Sequence, residues 1–161
     1  MKKQIIITDL TRMQEGRVCI AGYAENGECI RPVLPPPGIH ESMLKKNGIL
    51  QVFPLSVTEF DLTRHIPDPP HTEDYEFNPK SMRFVKLLDE PKRLEILTSS
   101  LFPNVKAIFE VPVKWGPGYY ILDGEGPRSL GTIRPRIINE VIIEKQTKLM
   151  IKVIFFIIVL V

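Results

Sequence analysis

Short apolar runs alternate with polar breaks rich in proline and glycine along most of the chain. QIIITDL (4–10) is β-branched and reads as a first strand. TRMQEGR (11–17) is a polar turn around Gly16. RVCIAGY (17–23) and CIRPVL (29–34) flank AENGE, where Asn26-Gly27 is a hairpin signal. A two-residue turn there pairs positions that sum to 53, so Arg31 faces Gly22, Cys29 faces Ala24 and Cys19 faces Leu34. PPPGIH (35–40) is a stop. HESMLKKN (40–47) fits one or two helical turns ended by Gly48, which makes Lys45 and Lys46 a solvated helix end. ILQVFPLSVTEFDLT (49–63) is extended, with Pro54 marking an edge or bulge. RHIPDPPHTEDYEFNP (64–79) reads as a long polar loop.

The second half continues in the same manner. SMRFVKLL (81–88) is a strand. PKRLEILTSSLF (91–102) predicts a helix: Asp89 can cap it, Pro91 suits its first turn, and Leu94, Leu97 and Leu101 recur at helical spacing. VKAIFEVPVKW (105–115) alternates as a strand, GPGYYILDGEGP (116–127) is a strand between glycine turns, and RSLGTIRPRIINEVIIE (128–144) returns to β character. Many short strands and one or two short helices predict a mainly β fold, a small barrel or sandwich. The helix is too isolated for a βαβ sheet.

The pattern has a duplication in it. Ile-Arg-Pro occurs at 30–32 and again at 133–135, a separation of 103. Gly16 and Gly118 lie 102 apart, as do Gly22 and Gly124. Two related units, each running glycine, strand, glycine, turn, strand, Ile-Arg-Pro, would produce this spacing, and so would chance in a chain rich in glycine and proline.

TDLTRM (8–13), RVCIAGY (17–23), CIRPVL (29–34), PHTED (70–74) and RSLGTIRP (128–135) together resemble the bacterial dual OB-containing domain proteins, over residues 4–140 and in order. The resemblance implies two small OB-like barrels packed together, each Ile-Arg-Pro ending a corresponding strand. It places a first barrel at 1–80 and a second, incomplete one at 81–148. It also implies nucleic-acid or nucleotide binding, in a setting of bacterial defence. The run LMIKVIFFIIVLV (149–161) departs from the pattern. Three readings stand for it: a final core strand, a tail anchor, or the product of a truncated or shifted frame. The third suits its monotony best. With 13 residues and one lysine it falls short of the ~20 apolar residues a membrane helix needs, so a membrane partner is not expected.

Composition narrows the function classes. The chain has 161 residues, 43% hydrophobic and 25% charged, which suits one compact domain or two very small ones. A net charge of +2 gives no overall polycation, so any polyanion site is a local, salt-sensitive patch. Cys19 and Cys29 form no CxxC, and the predicted hairpin sets them about 16 Å apart along the strands, beyond disulfide reach. Two reduced core thiols suit a cytoplasmic protein. MKKQIIITDL has too short an apolar run for a signal peptide. There is no P-loop, HExxH, nucleophile elbow or Rossmann glycine set, and no cofactor is expected.

Two constellations remain. His71, Glu73 and Asp74 can hold a divalent cation or supply a general base, which would make a metal-dependent, nuclease-like hydrolase; alternatively they cap and order a loop. Arg31, laid over Gly22, can present its fork to phosphate, or it can form an ion pair with Asp9 or Glu59. Arg134 raises the same question, and Arg12, Arg17, Arg128 and Arg136 extend a basic strip, with Tyr23, Trp115, Tyr119 and Tyr120 as stacking platforms or as core. The leading expectation is a non-catalytic binding module for single-stranded nucleic acid or a nucleotide-like ligand, using Arg12, Arg17, Arg31, Arg134, Tyr23 and Trp115. Its alternatives are the hydrolase and a scaffold that binds a protein partner.

Overall fold

Alternation sends Ile5 and Ile7 to one side of the first strand, and both are fully buried. The computed structural model describes residues 1–115, 119–135, 137, 140–145 and 149–154. It is mostly β, and its first half closes into a five-strand barrel. The strands are β1 (Lys2–Arg12), β2 (Arg17–Ala24), β3 (Cys29–Val33), β4 (Ser56–His65) and β5 (Asp74–Phe77). Their order is β1-β2-β3-β5-β4, and β4 returns to β1. All neighbours are antiparallel except β3 and β5, which run parallel, with Arg31 opposite Asp74. A further strand, β6 (Arg83–Leu87), pairs with β4 beside β5. Ile5, Ile7, Ile20, Ile30 and Phe60 fill the barrel, with Phe77 edge-on to Phe60 at 5.3 Å. Burying each of these side chains stabilises the fold by about 1.5–3 kcal/mol.

The β2–β3 hairpin forms where Asn26-Gly27 predicts it, but one residue out of the expected register. Gly22 faces Ile30 and Tyr23 faces Cys29. The loop has three residues rather than two: the Gly27 amide donates to the Ala24 carbonyl, the Ala24 amide donates to the Glu28 carbonyl, and Gly27 takes φ +81°. The expected placement of Arg31 over Gly22 is therefore incorrect. Gly22 instead meets β1, where a Cβ would lie 2.0 Å from the Ile6 carbonyl oxygen.

This register also explains a proline inside a strand. The Arg31 amide donates to the Glu73 carbonyl, on the β5 side. The next backbone nitrogen faces the other way, toward β2, where pairing already stops at Gly22 and Ile30. Pro32 thus gives up no ladder bond, and its ring is fully buried in the barrel.

Three other expectations fail for local reasons. Residues 64–79 are not all loop: Tyr75 and Phe77 alternate with Glu76 in β5. HESMLKKN is a short 3₁₀ turn (Glu41–Leu44) followed by a hairpin, because Asn47 and Gly48 both take positive φ, 52° and 78°, and turn the chain between Lys45–Lys46 and Ile49–Leu50. VKAIFEVPVKW begins as a helix, α2 (Val105–Phe109), with the Asn104 side chain accepting from the Ala107 amide at 2.9 Å and Glu110 ending it at φ 56°. The predicted helix before it, α1 (Glu90–Ser99), has the expected Asp89 cap and Pro91, but Leu94 and Leu97 are exposed rather than packed.

Beyond α1 the described strands are short. Leu101–Phe102 pairs in parallel with Thr132–Ile133, Lys114–Trp115 pairs with Tyr119–Tyr120, and Glu140–Lys145 pairs with Leu149–Ile154. Residues 149–154 form a strand paired with 140–145, while 155–161 lie outside the described residues. The two Ile-Arg-Pro triplets both sit at parallel pairings, but with different surroundings: Arg31 is half-buried and Arg134 exposed. Gly22 and Gly124 are not equivalent, since Gly124 sits in a turn at φ +77° with open space around it. Gly118 lies outside the described residues.

Candidate nucleic-acid interface

The outer face of β2, β3 and β5 carries Cys19, Tyr23, Cys29, Arg31 and Asp74, the side chains that alternation turns away from the core. The Arg31 guanidinium grips Asp74 with two parallel bonds, Nε to Oδ1 at 2.5 Å and Nη2 to Oδ2 at 2.8 Å. The two side chains are only 15% and 14% exposed. Burial works against the Arg31 charge, and Asp74 more than offsets it, so the guanidinium is held above its ordinary pKa. The ion-pair reading of Arg31 is the one the geometry carries, with Asp74 as partner rather than Asp9 or Glu59.

The segment at 127–132 lies against the same face. Glu73 is buried, and its carboxylate accepts from the Ser129 amide at 3.1 and 3.3 Å and from the Ser129 hydroxyl. The Thr72 hydroxyl donates to the Pro127 carbonyl, and the Gly124 amide donates to the Pro69 carbonyl at 3.1 Å. Tyr23 touches Thr132 and Cys29; burial first, then the Cys29 thiol, pushes its pKa up to about 12. Burial likewise pushes Cys29 to about 12, with Glu73 adding to it. Arg128 is committed too: it donates to the Ile108 carbonyl at 2.7 Å and to Glu110 at 2.8 Å, with its guanidinium 5.0 Å from the Phe102 ring. The Arg128–Gly131 stretch therefore caps α2, clasps Glu73 and packs Gly131 on Ile108.

His71, Glu73 and Asp74 do not converge. Asp74 holds Arg31, Glu73 holds Ser129, and His71 is exposed with its backbone closing a tight turn on Asp68. Among the described residues no group of three His, Cys, Asp or Glu side chains is placed to hold a metal ion. A cleft of about 250 Å³ opens beside this seam, between Tyr75, His65 and Arg128. Within it His65 stacks on Tyr75 at 4.3 Å, and its Nε2–H donates to the Thr72 carbonyl at 2.7 Å. Tyr75 in turn donates to Glu28 at 2.7 Å. The cleft's polar groups are thus largely engaged with one another.

A family profile for the dual OB-containing domain matches residues 3–156. The chain belongs to this family. No curated protein and no solved structure matches it. In this dual OB-containing domain protein the match runs past residue 140 and into the terminal apolar run. The motifs that carried the resemblance, PHTED and RSLGTIRP, meet at the seam between the barrel and the segment that follows it.

The remaining candidates stand apart from the seam. Arg12 is exposed, 3.9 Å from Glu41. Arg17 is half-buried and donates to the Gln14 carbonyl at 3.3 Å. Arg136 lies outside the described residues. Trp115 is 72% exposed, on the strand pair Lys114–Trp115 and Tyr119–Tyr120, and Tyr120 is 46% exposed beside the exposed Lys114. Sequence reasoning paired the wrong acids with Arg31 and missed Ser129. The signal for Asp74 was the parallel β3–β5 pairing, which brings Arg31 opposite it, and no local signal marked Ser129.

Proposed function

We propose that this dual OB-containing domain protein is a non-catalytic binding module for single-stranded nucleic acid or a nucleotide-like ligand, and that its second OB-like unit spans 81–148. The reading rests on the strand pair Lys114–Trp115 and Tyr119–Tyr120, where the exposed phenol of Tyr120 pairs across from the exposed ammonium of Lys114 and the exposed indole of Trp115 follows it in the strand. Bases stack on such rings at about 1–3 kcal/mol each, while cations follow the phosphates. Arg12 and Arg134, both exposed, supply further cations. Arg31 and Tyr23 are left out of this site, being committed at the seam. Two free thiols support a reducing, cytoplasmic setting.

Trp115 is the sole tryptophan of the chain, so its emission reports directly on the site. Titration with single-stranded oligonucleotides quenches that emission, with an affinity that falls steeply with salt. Trp115→Phe retains binding by anisotropy, and Trp115→Ala weakens it by roughly 5- to 150-fold. No salt-dependent binding at protein concentrations near 100 μM, the weak end of the typical non-specific range of about 10⁻⁴–10⁻⁶ M, would rule the reading out.

A further inference from the structure

The hairpin Lys45–Leu50 stands out from the barrel as a small two-sided blade. Its base is fixed: Leu44 and Val52 are buried in the core, and the Gln51 amide donates to the Leu44 carbonyl at 2.8 Å. Its tip is a tight Asn47-Gly48 turn. All six residues between are exposed, including Ile49 at 67% and Leu50 at 43%. Cross-strand partners share a face. Lys45 pairs with Leu50 and Lys46 with Ile49, so each face carries one ammonium and one aliphatic side chain.

A blade with the same chemistry on both faces does not suit a flat partner, which would leave one lysine and one aliphatic side chain in water. It suits a slot whose two walls each offer anionic and apolar surface to the face that meets them. The grooves of double-stranded nucleic acid have this character: phosphates line both edges, and sugar and base surfaces lie between. We propose that the Lys45–Leu50 hairpin enters a groove of duplex nucleic acid, Lys45 and Lys46 contacting the opposite phosphate walls and Ile49 and Leu50 the sugars or base steps between them. This extends the single-strand reading to a second, duplex-directed surface and rests on it in taking nucleic acid as the ligand.

The test uses the full chain, a labelled duplex and a single strand of the same length. Wild type binds the duplex with a salt slope that Lys45→Gln/Lys46→Gln reduces by about two, at about 0.9 per phosphate contact. Ile49→Ser/Leu50→Ser weakens duplex binding about tenfold and leaves the salt slope unchanged. Both pairs of changes leave Trp115 quenching by the single strand intact. Because every altered side chain is exposed, melting temperatures report whether the variants keep their fold. Quenching by single strands without duplex binding would overturn this proposal and leave the single-strand reading standing, whereas loss of both would remove the two together. Duplex binding indifferent to all four substitutions would also overturn it. So would hairpin-dependent binding to phosphatidylserine-containing vesicles in place of duplex, since that assigns the blade to a lipid surface.

Discussion

Arg31 offers a decisive test, because a ligand-binding arginine and a structural one fail differently when removed. The guanidinium and Asp74 are tied by two charge-assisted bonds at 2.5 and 2.8 Å and are partly buried, at 15% and 14% exposed. Removing one partner strands the other charge against the β2–β3–β5 face, next to Cys19 and Glu73. Breaking such a pair costs about 3–5 kcal/mol, and the residual exposure here favours the lower end. Arg31→Met and Asp74→Asn are each expected to destabilise by about 3 kcal/mol, about 6–12 °C in melting temperature for a chain of this size. The double variant Arg31→Met/Asp74→Leu restores an uncharged face, and its cost falls to about 1 kcal/mol, since apolar replacement of a buried pair is often close to neutral. Urea unfolding followed by circular dichroism gives these values, and the double-mutant cycle gives a coupling of several kcal/mol. Oligonucleotide affinity of the folded double variant stays at the wild-type level. The reasoning fails if Arg31→Met leaves stability within about 0.5 kcal/mol of wild type and oligonucleotide binding is lost instead.

Two further outcomes follow from the same face and its neighbours. Gly22→Ala forces a methyl to within 2.0 Å of the Ile6 carbonyl oxygen, backbone that cannot step aside, and is expected to destabilise by at least about 2 kcal/mol in the same urea assay. Glu28 is held below the usual carboxylate range, chiefly by its hydrogen bond from Lys3 and then by that from Tyr75; a depressed folded pKa stabilises above the unfolded value of 4.5 and loses that contribution as pH falls through the folded one, so Glu28→Gln flattens the acid limb of a stability–pH profile below 4.5.

Local signals were readable where the side chains act locally. β1 announces itself by its β-branched run Ile5-Ile6-Ile7-Thr8, the β2–β3 turn by Asn26-Gly27, and α1 by Asp89 and Pro91. What the residues could not show alone was the loop closure at Ala24 and Glu28. One added loop residue shifts the register by one and takes Arg31 off Gly22, while its pairing with Asp74 comes from β5 on the other side of β3. β5 was hidden because proline and acidic residues crowd it, and its strand state depends on β3 and β4 across the barrel. α2 was hidden because Val105–Phe109 has β-prone residues; the Asn104 cap and the Arg128 side chain at its carboxyl end outweigh that preference.

The site was legible in kind but not in place. The densest polar motifs, PHTED and RSLG, look like chemistry because they gather acids, an imidazole, a hydroxyl and a guanidinium. In the fold those groups satisfy one another: Asp74 takes Arg31, Glu73 takes Ser129, and Arg128 takes Glu110 and the end of α2. Among the described residues no buried side-chain nitrogen or oxygen is left without a hydrogen-bond partner. A ligand seated on that face would have to break these bonds and reopen the seam before gaining any of its own, at about 1–3 kcal/mol for each buried group left unsatisfied. Lys114, Trp115 and Tyr120, on the strand pair Lys114–Trp115 and Tyr119–Tyr120, and Lys45, Lys46, Ile49 and Leu50, on the Lys45–Leu50 hairpin, are exposed instead. The face that carries Cys29, Arg31 and Asp74 is occupied by the chain's own next segment, and the reading proposed above therefore places recognition on the exposed strand pairs.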